Sequence, residues 1–172
     1  LRMQEFLYNN LGEVLVSQRR HPQAEGYFKH ALELSMSLAD RRAETEVCRN
    51  LGLLYVEMSN RALGREYLNR SLRIARDIGS REAMGIALRA LGQLEGHSVF
   101  DEEGGPQGAA ESYFQEAQDL FDHMGNETEL LKTMEAYARY LFDHGRPAEA
   151  ASLLDEAVEM ASHQGEETYK RV

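Results

Sequence analysis

The chain has 172 residues, of which 42% are apolar and 28% charged, and its formal net charge is −10. This composition is typical of a folded globular domain, and the acidic balance argues against direct nucleic-acid binding, because phosphate contacts require a basic surface. No apolar run approaches the roughly 20 residues that span a bilayer, no signal peptide is evident, and the lone cysteine excludes an internal disulfide, so we expect a cytoplasmic protein that binds neither nucleic acid nor membrane.

The first unit covers residues 4–40 and is organised around small residues at fixed places. Gly12 completes a LeuGly pair, Ala24 comes twelve residues later, and Phe28 stands four residues beyond Ala24. Apolar residues recur at spacings of three and four on either side of the break ArgArgHisPro at 19–22. This spacing predicts two amphipathic helices joined by a tight turn, with the proline in the first turn of the second helix.

The second unit, residues 44–80, repeats the first at a period of forty residues. Gly52, Gly64 and Leu68 occupy the corresponding places, and SerAsnArg at 59–61 marks the turn. A glycine in the middle of a helix costs about 1 kcal/mol relative to alanine, so Gly52 indicates a close approach of the two helices. We therefore expect Gly52→Leu to overpack this crossing and to lower the free energy of unfolding by roughly 1–3 kcal/mol.

The third unit, residues 84–126, keeps this order only if an insertion at 97–107 is allowed, and the fourth, residues 130–165, returns to the original spacing. The insertion contains AspGluGlu and GlyGlyPro, which predicts an acidic loop. This loop is either a contact arm for a partner or an extension without function, and the tolerance of repeat proteins for loop insertions favours the second interpretation. Residues 166–172 are expected to start a further or capping helix. Because the sequence opens at Leu1 without a methionine, we expect a fragment of a longer protein.

Each unit ends with a residue suited to closing a helix. Gly79, Gly125 and Gly165 stand at matching places, with Ala39 at the first of them, and glycine most easily adopts the left-handed conformation that ends a helix. The polar residues that follow suit the N-cap of the next helix: Asp40, Ser80 and Asn126.

The repeated units determine the predicted architecture. One helical hairpin cannot bury both of its faces, whereas four hairpins lying side by side form a continuous core. The predicted fold class is all-α, an α-solenoid of about four antiparallel helix pairs that occupies residues 1–172 as a single domain.

The repeated motif resembles the tetratricopeptide repeat, whose signature places LeuGly, Tyr, Ala, Phe and Ala at fixed offsets. LeuGly stands at 11–12, 51–52 and 91–92, and the tyrosine is Tyr55. Four other residues replace the signature tryptophan: Tyr8, Cys48, Leu88 and Met134. The forty-residue period, in place of about 34 residues, is similar to that in spindle-orientation adaptors, kinesin light chains and the sensor domains of bacterial transcription activators.

This resemblance implies a right-handed superhelix that serves as a protein–protein interaction scaffold inside a larger regulatory or signalling protein. The concave groove of such a scaffold, formed by the first helix of each pair, would bind a peptide or a partner protein, with no enzymatic activity and no cofactor. The candidate groove residues are Asn9, Glu13, Glu46, Arg49, Leu53, Arg89, Gln93, Lys132, Glu135 and Arg139.

Two arginines of this set carry the most specific expectation about the partner. Arg49 and Arg89 occupy equivalent places on neighbouring first helices, where they could share one carboxylate of an acidic ligand. Alternatively, both arginines are solvated and pair with nearby carboxylates such as Glu46 or Glu13.

A second function class stays open beside peptide binding. The chain could be a self-association or spacer module whose faces pack against neighbouring domains or against a second copy, which would make it a homo-oligomer.

The sequence offers weak candidates for catalysis or metal binding. Its six histidines are scattered, without the one-turn spacing of a metal-binding helix, and GlyGlyProGlnGly at 104–108 lacks the lysine of a phosphate loop. Cys48 stands at the place of a buried aromatic residue, so we expect an inert core thiol. No catalytic, cofactor-binding or metal-binding residue is predicted.

Overall fold

The computed structural model describes residues 1–96 and 108–170, with side chains described as far as residue 162. Over these ranges the chain forms eight α-helices and no strand: α1 (Arg2–Ser17), α2 (His21–Ser37), α3 (Arg41–Glu57), α4 (Arg61–Asp77), α5 (Arg81–Gly96), α6 (Ala109–His123), α7 (Glu127–Asp143) and α8 (Pro147–Lys170). None of these helices is both long enough and apolar enough to cross a membrane.

The helices pack in the order of the chain, as the repeat predicts. Helices α1 and α2, α3 and α4, α5 and α6, and α7 and α8 form four hairpins, and each hairpin packs against the next. Contacts also join α1 to α3, α3 to α5, and α5 to α7, so the first helices of the hairpins form a continuous wall. The predicted all-α solenoid of about four repeats is confirmed.

Short turns with left-handed residues separate the hairpins. Ala39, Gly79 and Gly125 have φ angles of 52°, 66° and 62°, as their places in the repeat predict. The N-cap predictions hold in the same turns: Asp40 accepts a hydrogen bond from the backbone N–H of residue 43 at 3.1 Å, and Asn126 accepts one from residue 129 at 3.2 Å. These contacts satisfy N–H groups that the start of a helix leaves without a partner.

The end of the fourth hairpin differs from the expectation. The backbone of α8 continues from Pro147 through Gly165 to Lys170, so no new helix begins at residue 166 within the described chain. Glycine permits a left-handed cap but does not impose one, and at the other three turns the following helix packs back on the hairpin.

The insertion lies outside the described residues over its predicted bounds, 97–107. The description resumes at Gly108, which has a φ of 87° and occupies the N-cap of α6.

Small residues bring the two helices of each hairpin close together. A Cβ added at Gly52 would lie 2.6 Å from Leu68 Cγ and 3.1 Å from the carbonyl oxygen of Gly64. At the equivalent crossings, Gly12 faces the ring of Phe28 and Gly92 faces that of Phe114. Each glycine therefore leaves the space that the large side chain of the second helix fills, which explains the steric requirement indicated by the sequence.

Candidate functional site

The wall of first helices is cross-linked by polar side chains between α1 and α3. Asn9 is 3% exposed and donates through Nδ2 to Glu46 Oε1 at 3.2 Å. Asn50 donates through Nδ2 to Asn9 Oδ1 at 2.9 Å and to Glu13 Oε1 at 2.8 Å. Arg49 donates Nη2 and Nε to Asn50 Oδ1 at 3.0 and 3.3 Å. Four of the predicted groove residues thus belong to one network that joins two neighbouring hairpins.

Arg89 of α5 connects this helix to α7 in the wall of first helices. Its guanidinium lies 2.7 Å from Glu129 Oε2, donates to Thr133 Oγ1 at 3.3 Å and stands over the ring of Phe121. Burial alone would raise the pKa of Glu129, but hydrogen bonds from Lys132 and Arg89 outweigh that effect and the pKa is lowered. Arg89 is therefore engaged by its own chain, whereas the sequence suggested a ligand shared with the equivalent arginine of α3.

A cavity of about 350 Å³ opens between α3 and α5, where the wall meets the end of α4. Arg42, Glu46 and Arg49 line it from α3, and Glu82 and Ile86 line it from α5. Two guanidinium groups and two carboxylates thus surround one opening. Such an arrangement can bind a carboxylate through arginine and an ammonium or amide group through glutamate.

Both apolar and polar side chains line the cavity between the charged groups, and two of its hydroxyl groups already donate hydrogen bonds within the chain. Ile78 and Ile86 contribute aliphatic surface, and both side chains are only partly buried. Thr45 donates its hydroxyl to the carbonyl of residue 41 at 2.7 Å, and Ser71 donates to the carbonyl of Thr45 at 2.8 Å. The groups that could contact a ligand therefore include the charged side chains, the Ser80 hydroxyl and the two isoleucine side chains.

Five other predicted groove residues lie outside this cavity. Leu53 and Gln93 are exposed on α3 and α5. Lys132 Nζ donates to Glu129 at 2.8 Å, which places it beside the Arg89 cluster. Glu135 and Arg139 form an exposed pair at 3.4 Å. The structure thus brings together only part of the set that the sequence placed on one face.

Glu135 and Arg139 belong instead to a second cavity at the end of the solenoid. This groove between α7 and α8 has a volume of about 490 Å³ and is also lined by Phe142, Pro147 and Leu154. Its surface is mainly apolar, and the side chain of Phe142 is 65% exposed. It differs in chemistry from the charged cavity between α3 and α5.

Sequence reasoning missed Arg42, Glu82 and the isoleucines of the charged cavity. Their positions relative to Arg49 depend on the distance between α3 and α5. This distance cannot be derived from the spacing of residues in the sequence. The available signal was the repeat itself, since residues 42 and 82 are forty positions apart and so occupy the same place on neighbouring helices.

The thiol of Cys48 and the side chains that could bind a metal ion were also candidates for chemistry. Cys48 is fully buried, and burial raises the pKa of its thiol to about 11, so its predicted place in the core is confirmed and its inertness stays a prediction. Among the residues that the structure describes, no group of three His, Cys, Asp or Glu side chains could hold a metal ion.

Comparison with known proteins finds a repeat family in the first part of the chain and a similar fold over most of it. Residues 4–77 match the family model for the tetratricopeptide repeat. The crystal structure of BtubC (BKLC) from P. vanneervenii aligns with a TM-score of 0.75 and 14% identity over 94% of this chain. The alignment covers 64% of the BtubC chain, and at this identity the likeness shows the fold alone. No curated protein matches the sequence.

Proposed function

We propose, from the match of residues 4–77 to the tetratricopeptide repeat and from the solenoid of four hairpins, that this chain is a scaffold that binds a peptide or an extended segment of a partner protein on the wall of first helices. Tetratricopeptide repeats generally mediate protein–protein interaction. The proposal places the main contact in the cavity between α3 and α5. The lone cysteine of the chain, Cys48, is free and buried, which supports a reducing, cytoplasmic setting.

The observation that carries the proposal is the charged cavity of about 350 Å³. Arg49 uses Nε and Nη2 to hold Asn50, which leaves Nη1 for a ligand carboxylate. Arg42 is exposed on the rim of the same cavity. Two arginines close to the side chains of Ile78 and Ile86 suit a peptide that carries an acidic residue next to an aliphatic one.

The net charge of the chain also limits how acidic the bound peptide can be. The net charge of −10 repels a long, strongly acidic partner. At physiological ionic strength the Debye length is about 8 Å, so within the cavity the nearby arginines outweigh distant carboxylates. Glu46 and Glu82 on the rim additionally favour a ligand of mixed charge. We therefore infer a short segment with one or two acidic residues, not an acidic tail.

Selection from a displayed random-peptide library tests the proposal. The full chain is the bait, and enriched peptides are measured by calorimetry against the wild type and against the double variant Arg42→Ala/Arg49→Ala. Loss of charged hydrogen bonds worth about 1.5–3 kcal/mol each predicts at least about a tenfold weaker affinity. Arg73→Ala is the matched control, because Arg73 is exposed on α4 and lies outside the cavity.

Two results would contradict the proposal. One is a set of enriched peptides without acidic residues. The other is an affinity that the double variant leaves unchanged, since this would move the binding site away from α3 and α5.

A further inference from the structure

An exposed leucine lies on the wall of first helices, beside the charged cavity. Leu53 of α3 is 37% exposed, and it comes four residues after Arg49, so the two side chains project from the same face of the helix. Helix α3 contacts α1 on one side and α5 on the other. The hairpins that flank this leucine are therefore both present, and its exposure belongs to the interior of the solenoid.

The other hairpins carry polar side chains at the repeat position of Leu53. The equivalent residues are Glu13 of α1, Gln93 of α5 and Arg139 of α7, and all three are exposed. The fold thus accepts a charged or an amide side chain at this place, and packing within the chain does not require a leucine. One exposed apolar residue is ordinary by itself, so the significance of Leu53 depends on the groups close to it.

Ile86 of α5 supplies a second apolar site, on the other side of Arg49. Its repeat position is that of residue 46 on α3, three residues before Arg49 and seven before Leu53. At a rise of about 1.5 Å per residue, the isoleucine and the leucine are separated by about 10 Å along the helix axis, with the arginine between them. Because Ile86 and Ile78 line the charged cavity, the wall presents an aliphatic site, an arginine and another apolar site in one row.

Hydrogen bonds between α1 and α3 hold the arginine of this row in place. Arg49 donates to Asn50 Oδ1 at 3.0 and 3.3 Å, and Asn50 donates in turn to Asn9 and Glu13 at 2.9 and 2.8 Å. A side chain that is fixed before the ligand arrives loses less conformational entropy on binding. The network therefore sets the place of a bound carboxylate relative to the two apolar sites.

We propose that this row binds an extended segment of a partner protein with two apolar residues three positions apart and an acidic residue between them. One of the apolar residues is aliphatic and enters the cavity beside Ile86, and the other packs on Leu53. Because the row includes the charged cavity, the inference rests on the proposed function. A chain in the polyproline II conformation advances about 3.1 Å per residue and completes one turn in three residues, so side chains three apart point the same way at about 9 Å. This separation matches the one between Ile86 and Leu53.

The size of the cavity favours an extended segment over a helix. An α-helix with its side chains is about 10–12 Å across. The cavity has a volume of about 350 Å³, near the lower end of the roughly 300–1,000 Å³ of small-ligand pockets, so it admits side chains and not a whole helix. A helical ligand would also require a different spacing, because about seven helical residues cover the 10 Å between the apolar sites.

A double-mutant cycle between Leu53 and the ligand tests the proposal. The probes are peptides that the full chain enriches from a displayed random-peptide library, and calorimetry measures their affinities. Leu53→Ala should weaken binding about three- to tenfold, because most of the apolar contact of one partly exposed leucine is lost. Alanine at the second apolar position of the peptide should weaken binding to the wild type by a similar factor, and it should have little further effect on Leu53→Ala.

Leu11→Ala is the matched control. Leu11 is also an exposed leucine of a first helix, at 40%. Its repeat position is that of Leu51, which is buried in the core, so Leu11 lies on another face of its helix and its substitution should leave the affinity unchanged. Both variants place alanine at an exposed helical position, which favours helix, and circular dichroism melting checks that they fold.

The outcomes separate a failure of this inference from a failure of the proposed function. If Arg42→Ala/Arg49→Ala weakens binding and Leu53→Ala does not, the apolar site at Leu53 is overturned while the charged cavity stays the binding site. If neither variant changes the affinity, both are overturned. Independent effects of Leu53→Ala and the peptide substitution would also overturn the contact, and apolar residues seven positions apart in the enriched peptides would show a helical ligand in place of an extended one.

Discussion

The crossing of α3 and α4 allows a test of whether a glycine is required for steric reasons. Gly52 lies at this crossing, and Gly26, at an open position of α2, is the comparison. Gly52→Ala places a Cβ 2.6 Å from Leu68 Cγ and 3.1 Å from the Gly64 carbonyl oxygen. Leu68 is fully buried, so it has little room to move. Gly26 lies in α2, is exposed, and has no atom within 4 Å of an added Cβ.

The two substitutions should change stability in opposite directions. Alanine in place of glycine gains about 0.5–1 kcal/mol inside a helix, and at position 26 nothing opposes that gain. At position 52 overpacking costs about 1–3 kcal/mol, so the net effect is a loss of roughly 1 kcal/mol. For a chain of this length, about 1 kcal/mol shifts the melting temperature by roughly 2–4 °C. The larger Gly52→Leu should destabilise the protein further.

Thermal and urea unfolding of Gly52→Ala and Gly26→Ala measure this difference. The double variant Gly52→Ala/Leu68→Ala locates its cause, because removal of the leucine should lower the cost of the alanine and give a coupling of more than about 0.5 kcal/mol. Equal stabilisation by both single substitutions would refute the steric reading of the LeuGly motif. So would two purely additive effects in the double variant.

Three further predictions concern the turns, the core thiol and acid stability. Ala39 has a φ of 52°, so Ala39→Gly should raise the free energy of unfolding by about 0.5–1 kcal/mol, whereas Ala62→Gly at an exposed position of α4 should lower it in the same urea titration. Cys48 should not react with a thiol reagent at pH 8 in the folded protein, because the thiol is fully buried and its pKa is raised to about 11; rapid labelling without denaturant would contradict this. Hydrogen bonds from Lys29 and then Tyr55 lower the pKa of Glu25 below its usual value of 4.5, so its contribution to stability is present above pH 4.5 and lost as the pH falls through the lower folded pKa. Glu25→Gln should therefore reduce the acid dependence of the unfolding free energy, and an unchanged dependence would exclude this contribution.

The fold could be predicted from the sequence because its signals are local and repeated. The small residue at Gly52, the left-handed turns and the caps at Asp40 and Asn126 each act within one hairpin or one turn. Their reasons can be read from propensity, size and spacing alone. Four copies of the same signals then determine how the hairpins stack.

The candidate site was only partly predictable, because it depends on contacts between hairpins. Arg49 and Arg89 occupy equivalent repeat positions, yet of these two arginines only Arg89 contacts Glu129 and Thr133 of α7. The partner of an arginine therefore depends on residues that are distant in the sequence. We expected a helix break at Gly165, but α8 continues through this residue. A glycine permits more than one backbone conformation, so the residue type alone does not determine where the helix ends.

The binding site itself can be tested with the isoleucines. The chain has three of them: Ile78 and Ile86 line the charged cavity, and Ile74 is 2% exposed within the core. Methyl-labelled isoleucine therefore gives three NMR signals with distinct expectations. Titration with a selected acidic–aliphatic peptide should shift the signals of Ile78 and Ile86 and leave that of Ile74 nearly unchanged. Binding of the peptide with no shift at Ile78 and Ile86 would contradict the placement of the site between α3 and α5.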